Sequence, residues 1–125
     1  MVLTDSSQVF AECSEWRQIL RNYKEEFLEC KKALEQSCIK TPSKNQLQQV
    51  EQFDNKFYIQ LINIHDLKQA IKAHERKIKF EASTNSSLDA TFAYHEDILD
   101  QFLLLENRLQ ELREDFQNFI SDTSC

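Results

Sequence analysis

The sequence predicts an all-α fold: an up-down-up bundle of three long antiparallel helices with coiled-coil-like packing, forming one domain over residues 1–125. Three observations carry this. Apolar residues recur at steps of three and four in three separate stretches, the period of one helix face and not of a strand. Gly is absent and Pro42 is the single proline, so the residues most used for hairpins and left-handed caps are missing. The stretches are joined by short connections, Ser37–Asn45 and Thr84–Ser87, which turn each helix back along its predecessor.

The first helix is expected over about residues 6–36. Asp5 with Gln8 three residues on is a capping arrangement, in which a side-chain acceptor meets the free amides of the first turn. The apolar line is Val9, Cys13, Trp16, Leu20, Tyr23, Phe27, Cys30 and Leu34, a strict heptad seam that favours left-handed packing. Trp, Tyr and Phe on that seam are too bulky for a two-stranded zipper and suit a wider bundle core. In the first connection Pro42 suits the first turn of the next helix, with Thr41 as its cap. Ser43 with Gln46 is an alternative capping box.

The central helix, about residues 43–82, organises the chain. Its line runs through Leu47, Val50, Phe53, Phe57, Leu61, Ile64, Leu67, Ile71, His74 and Ile78. Phe53, Phe57, Tyr58, Leu61 and Ile62 widen the stripe, as contact with more than one partner helix requires. Asp54, Asn55 and Asn63 flank it. Ser86 with Asp89 is a capping box for the third helix, expected over about residues 87–120. That line is Leu88, Phe92, His95, Leu99, Phe102, Leu105, Leu109, Leu112, Phe116 and Phe119. Its consecutive steps of three at 99–102–105 predict a local break that overwinds the packing.

Composition excludes several classes of function. There is no Gly-rich phosphate loop. The first residues lack a basic segment followed by an apolar one, so no signal peptide is expected. The longest uninterrupted apolar run, Phe102 to Leu105, falls far short of a membrane span. Four cysteines without a CxxC pair read as reduced thiols, and the expected location is cytoplasmic.

Net charge is −6, unevenly spread: residues 44–85 hold seven Lys/Arg against five Asp/Glu, and residues 86–125 two against nine. The basic run Lys68–Lys79 is expected to face the acidic start of the third helix, which argues against nucleic acid. If residues across the second hairpin sum to about 167, Lys72 meets His95 and Glu96, and Lys68 meets Leu99 and Asp100.

Among residues able to do chemistry, His74 and His95 lie on the apolar lines and across from each other in that register. Two facing imidazoles suit a metal ion or a pH-sensitive contact. Cys13 is a candidate third ligand, although folding the first helix back sets it opposite about Leu67. No His-x-x-x-His or His-Glu-x-x-His is present, and Ile62, Ile71 and Phe92 stand three residues before the histidines, which excludes a di-iron repeat. Glu75 and Glu96 follow their histidines directly and therefore point to another face. Cys13 as a nucleophile lacks an oriented base and an oxyanion hole, so no catalytic residue is expected.

The sequence thus points to a non-catalytic interaction or scaffold bundle, without a cofactor. It would self-associate, for example as a dimer, or hold a helical protein partner through Tyr58, Ile62, Leu103 and Leu104. One alternative is a metal-binding bundle using His74, His95 and Cys13. Another is a nucleic-acid-associated regulator acting through Lys68–Lys79.

Overall fold

The computed structural model describes residues 6–36, 43–84 and 89–123. They form three α-helices: α1 (Ser6–Glu35), α2 (Lys44–Thr84) and α3 (Asp89–Thr123). Contacts between α1 and α2 pair rising with falling numbers (Arg17 with Glu75, Lys31 with Asp54), and those between α1 and α3 pair rising with rising ones (Tyr23 with Glu106, Glu26 with Arg113). The order is therefore up-down-up, as predicted. At 41 residues α2 is roughly 60 Å long. Among the described residues no helix is long and apolar enough to cross a membrane.

Ser43 starts α2 as an N-cap. Its hydroxyl accepts from the Gln46 amide at 3.1 Å, and its own amide donates to Gln46 Oε1 at 2.9 Å. This reciprocal box satisfies two amides that have no partner inside the helix. The alternative cap of the sequence reading is thus formed. Asp5, Thr41, Pro42, Ser86 and Leu88, named there as caps or anchors, lie outside the described residues. The third helix extends to Thr123, beyond the predicted end near residue 120.

One core runs the length of the bundle. From α1 it takes Val9, Cys13, Trp16, Leu20, Tyr23, Phe27 and Leu34, the predicted seam with Cys30 half-buried at its edge. From α2 it takes Phe53, Phe57, Ile64, Leu67, Ile71, His74 and Ile78, while Leu47 is exposed and Val50 and Leu61 are only partly covered. One end is aromatic: Phe57 meets Phe27 edge-on at 5.4 Å and Phe116 at 5.0 Å, and Phe53 lies 5.0 Å from Phe119. The side of α1 that faces α3 is pinned by a two-pronged Arg113–Glu26 pair, both contacts 2.6 Å. The Arg113 guanidinium also lies over the Tyr23 ring.

The third helix corrects the sequence reading. Its buried line is Thr91, His95, Ile98, Phe102, Leu105, Leu109, Leu112, Phe116 and Phe119. The steps alternate strictly between four and three, so the expected break at 99–102–105 does not occur. Ile98 takes the core position assigned to Leu99, and Thr91 the one assigned to Phe92; Leu99 and Phe92 pack only at its edge. Thr91 is tolerated inside because its hydroxyl donates to the Glu81 carboxylate across the hairpin, which removes the penalty of a bare buried hydroxyl.

Candidate metal centre

Each helix contributes one polar residue to a single core layer. Cys13 follows Val9 by four and precedes Trp16 by three. His74 stands between Ile71 and Ile78, and His95 between Thr91 and Ile98. All three side chains thus point at the bundle axis, and their residues are 0%, 2% and 7% exposed. His74 Nε2 lies 3.0 Å from His95 Nδ1, and Cys13 Sγ lies 3.8 Å from that same nitrogen. One atom from each residue falls within 4.8 Å of the other two.

The facing of His74 and His95 was legible in the sequence. The level of Cys13 was not: it meets His74, not Leu67. This is a shift of one heptad, roughly 10 Å along the axis. The cause is the α1–α2 register, which the Arg17–Glu75 and Lys31–Asp54 pairs and the Phe27–Phe57 contact hold together.

The walls of the layer are aromatic. Trp16 stacks on His95 with centroids 4.7 Å apart, and Tyr94 meets the His74 ring edge-on at 5.1 Å. Glu12, one residue before Cys13, places Oε1 3.4 Å from His95 Nε2. The contact is close enough for electrostatic attraction but is not aligned as a hydrogen bond, which leaves His95 Nε2 and His74 Nδ1 as buried nitrogens without a hydrogen-bond partner. The Glu12 carboxylate favours a proton on His95 Nε2, so the Nδ1 lone pair is turned into the layer. Two donors, His74 Nε2–H and the Cys13 thiol, then converge on one acceptor. The second nitrogen of His74 stays unsatisfied, at a cost of about 1–3 kcal/mol.

Protonation follows from burial. Burial first, then the neighbouring His95 and Lys77, lowers His74 from 6.5 to about 4, with Glu81 opposing. Burial, reinforced by Glu75 and Glu12 and opposed by Arg17, pushes the Cys13 thiol up to about 12. At neutral pH the layer therefore holds a protonated thiol and a neutral His74. A raised thiol is the reverse of what an activated nucleophile needs.

This depressed imidazole makes the metal-free protein sensitive to acid. The unfolded chain takes up the proton near pH 6.5 while the folded one resists it to about 4. The stability is thus fully present above pH 6.5 and is lost as pH falls through that window, by on the order of 3 kcal/mol. Urea midpoints of chelator-treated protein should fall between pH 7 and pH 4, and His74→Leu should flatten that dependence. An equal slope in wild type and variant would show that other groups cause it.

Two of the three donor separations are near those of a tetrahedral ion, and the third, from Cys13 Sγ to the His74 ring nitrogen, is within 4.8 Å and must shorten on binding. Zinc bonds of about 2.3 Å to sulfur and 2.0–2.1 Å to nitrogen imply S···N and N···N separations of about 3.6 and 3.3 Å. The contacts of 3.8 and 3.0 Å lie within a few tenths of an ångström of these. A thiolate with two imidazoles suits zinc and its borderline-soft neighbours. Glu12, on the far nitrogen of His95, occupies the place of the outer carboxylate that orients a ligating histidine.

The other predicted residues lie outside this layer. Tyr58, Ile62, Leu103 and Leu104 are all exposed. Tyr58 lies against Lys31 on the α1 side of α2, and Leu104 borders a hollow of about 310 Å³ between α2 and α3. Leu103, rotated by about 100° from Leu104, turns away from that hollow. Among the described residues no ion pair joins Lys68, Lys72, Lys77 or Lys79 to Glu96, Asp97 or Asp100, contrary to the expected pairing. Lys68 is instead crowded by Lys24 and Arg21 of α1.

Two features escaped the sequence reading. Glu12 carries no periodic signal, being off the apolar line. Glu75 does point away from the His74 face, but it is buried and held by Arg17. Comparison with known proteins finds no family that matches the chain, and no curated protein or solved structure with significant similarity.

Proposed function

We propose that this bundle binds one zinc-class divalent ion through Cys13 Sγ, His74 Nε2 and His95 Nδ1, without catalysing a reaction. The observation that supports the reading is the convergence of three ligand-type atoms, one from each helix, on a layer that is otherwise poorly satisfied. A buried polar layer of this kind destabilises a core relative to well-packed apolar residues. An ion bridging all three helices turns that cost into a cross-link.

The test is metal content of protein prepared without chelator, together with cobalt titration as a spectroscopic stand-in for zinc. One ion per chain is expected, with a thiolate-to-cobalt charge-transfer band that disappears in Cys13→Ala. His74→Ala should weaken binding by about 100-fold or more. Equal metal content in wild type and Cys13→Ala would overturn the assignment.

A second reading, self-association of the bundle, draws support from Ile59 and Ile62, which are exposed on the outer side of α2, where isolated helices seldom leave adjoining large aliphatics. Native mass spectrometry of the same preparation decides it. A dimer that dissociates in Ile59→Lys/Ile62→Lys supports the reading, and a monomer at tens of micromolar ends it.

A further inference from the structure

The groove between α1 and α2 carries a charge opposite to that of the chain. On α1, Arg17, Arg21 and Lys24 stand at steps of four and three on the side turned to α2, and Lys68 and Lys72 stand one turn apart on the facing side of α2. The Arg17–Glu75 and Lys31–Asp54 pairs hold the two helices antiparallel, and Lys68 stands among Lys24, Arg21 and Arg17 of α1 with Lys72 of its own helix beside it. Among the described residues no ion pair involves Arg21, Lys24, Lys68, Lys72 or Lys79. The carboxylates of the groove, Glu75 and Asp54, are already held by Arg17 and Lys31. Lys68 is half-buried, and the loss of solvent, followed by the surrounding cations, depresses its ammonium. A row of uncompensated cations is assembled here in a chain of net charge −6.

Both ends of the row are apolar. At one end Phe10, Ile78 and Ala82 line a hollow of about 570 Å³ beside Lys79. At the other, Leu28 and Tyr58 are exposed. Phe10 and Leu28 are 18 residues apart on a continuous helix, roughly 27 Å.

From this arrangement we infer that the α1–α2 groove docks an acidic amphipathic helix of another protein, lying along it as a fourth helix. Such a segment would put carboxylates against the central cations and an apolar side chain into each end. A single-stranded nucleic acid fits less well. Its bases need exposed aromatic faces among the cations, and the middle of the groove has none. The hollow at the Phe10 end is polar as well as apolar, with Ser6, Ser7 and Ser83 beside Lys79, so nucleic acid is disfavoured by its bases and not by its phosphates. A second copy of this chain is also a poor occupant. Its acidic α3 lies at the apex opposite the groove, so two copies cannot close a mutual two-fold contact that uses both surfaces.

The probe is a synthetic, fluorescein-labelled helical peptide of about 20 residues, with Leu in its first and last turns and Glu at steps of three and four between. It is to be compared with single-stranded dT20. Saturable peptide binding is expected, weakening steeply with salt and by at least about tenfold in the Arg21→Glu/Lys68→Glu double variant. Arg21 is exposed and Lys68 half-buried at the groove, and both lie outside the Cys13–His74–His95 layer, so zinc stoichiometry should be unchanged in that variant. Failure of zinc binding alone therefore leaves this inference standing. No peptide binding by wild type, equal binding by the variant, or tighter binding of dT20 than of the peptide would each overturn it. Loss through Leu28→Ala/Phe10→Ala with the charges intact would show that the end pockets act as anchors, as the inference requires.

Discussion

Zinc added to the metal-free protein at about a thousand times its dissociation constant should raise folding stability by about 4 kcal/mol, because the ion binds the assembled layer and not the unfolded chain. For a chain of this size that corresponds to a rise in Tm of roughly 12–20 °C. The gain should vanish in Cys13→Ala, which removes the thiolate but leaves the remaining core in place. The same titration should release close to one proton per ion near pH 7, since the Cys13 thiol is held near 12 and must deprotonate to ligate. His74 contributes none at that pH, being already neutral with a value of about 4. The sign follows: near pH 7, where the thiol proton is the one displaced, affinity should weaken about tenfold for each unit the pH is lowered. Calorimetry in buffers of different ionisation enthalpy measures the proton count. A thermal shift that survives in Cys13→Ala, or binding without proton release, would sink the thiolate assignment.

How far the sequence could be read depended on what a heptad encodes. The period decides which face of a helix is buried, and on α1 the seam from Val9 to Leu34 was therefore legible residue by residue. It does not decide how far one helix slides along another, because a shift of seven residues presents the same face again. This is why a short connection suffices to match His74 with His95, while the period alone sets Cys13 a heptad away from its true level. Charged pairs such as Arg17–Glu75 break that degeneracy, and they became visible only in three dimensions.

On α3 a different ambiguity operated. Leu99 and Ile98 are comparably apolar, and choosing Leu99 with Phe92 produced a break in the pattern. The alternative line through Thr91 and Ile98 is regular, but it requires a buried hydroxyl, and only the Glu81 carboxylate makes that acceptable. Lys68 and Lys72 were misread for an angular reason. Matching residues by level along the hairpin ignores rotation about the helix axis: Lys68 is turned toward α1, where it meets Lys24 and Arg21.

Phe57→Ala should cost about 3–5 kcal/mol, the largest loss expected from a single truncation. Phe57 is fully buried and makes ring contacts with Phe27, Phe53 and Phe116, so it touches all three helices at the aromatic end of the core. Neighbouring rings cannot collapse into the space without leaving their own edge-on contacts, which keeps most of the cavity open. Urea unfolding measures the loss, and Ile62→Ala, on the exposed side of the same helix, should stay within about 0.5 kcal/mol. Equal losses at the two positions would mean that the aromatic end is not packed as described.

The variant also tests whether the two ends of the bundle act independently. Phe57 and His74 are 17 residues apart on α2, roughly 25 Å, and share no partner. Effects at such separations add, so zinc should stabilise Phe57→Ala by the same increment as the parent. A much smaller increment would show that the Cys13–His74–His95 layer depends on the aromatic end to hold its three helices in register.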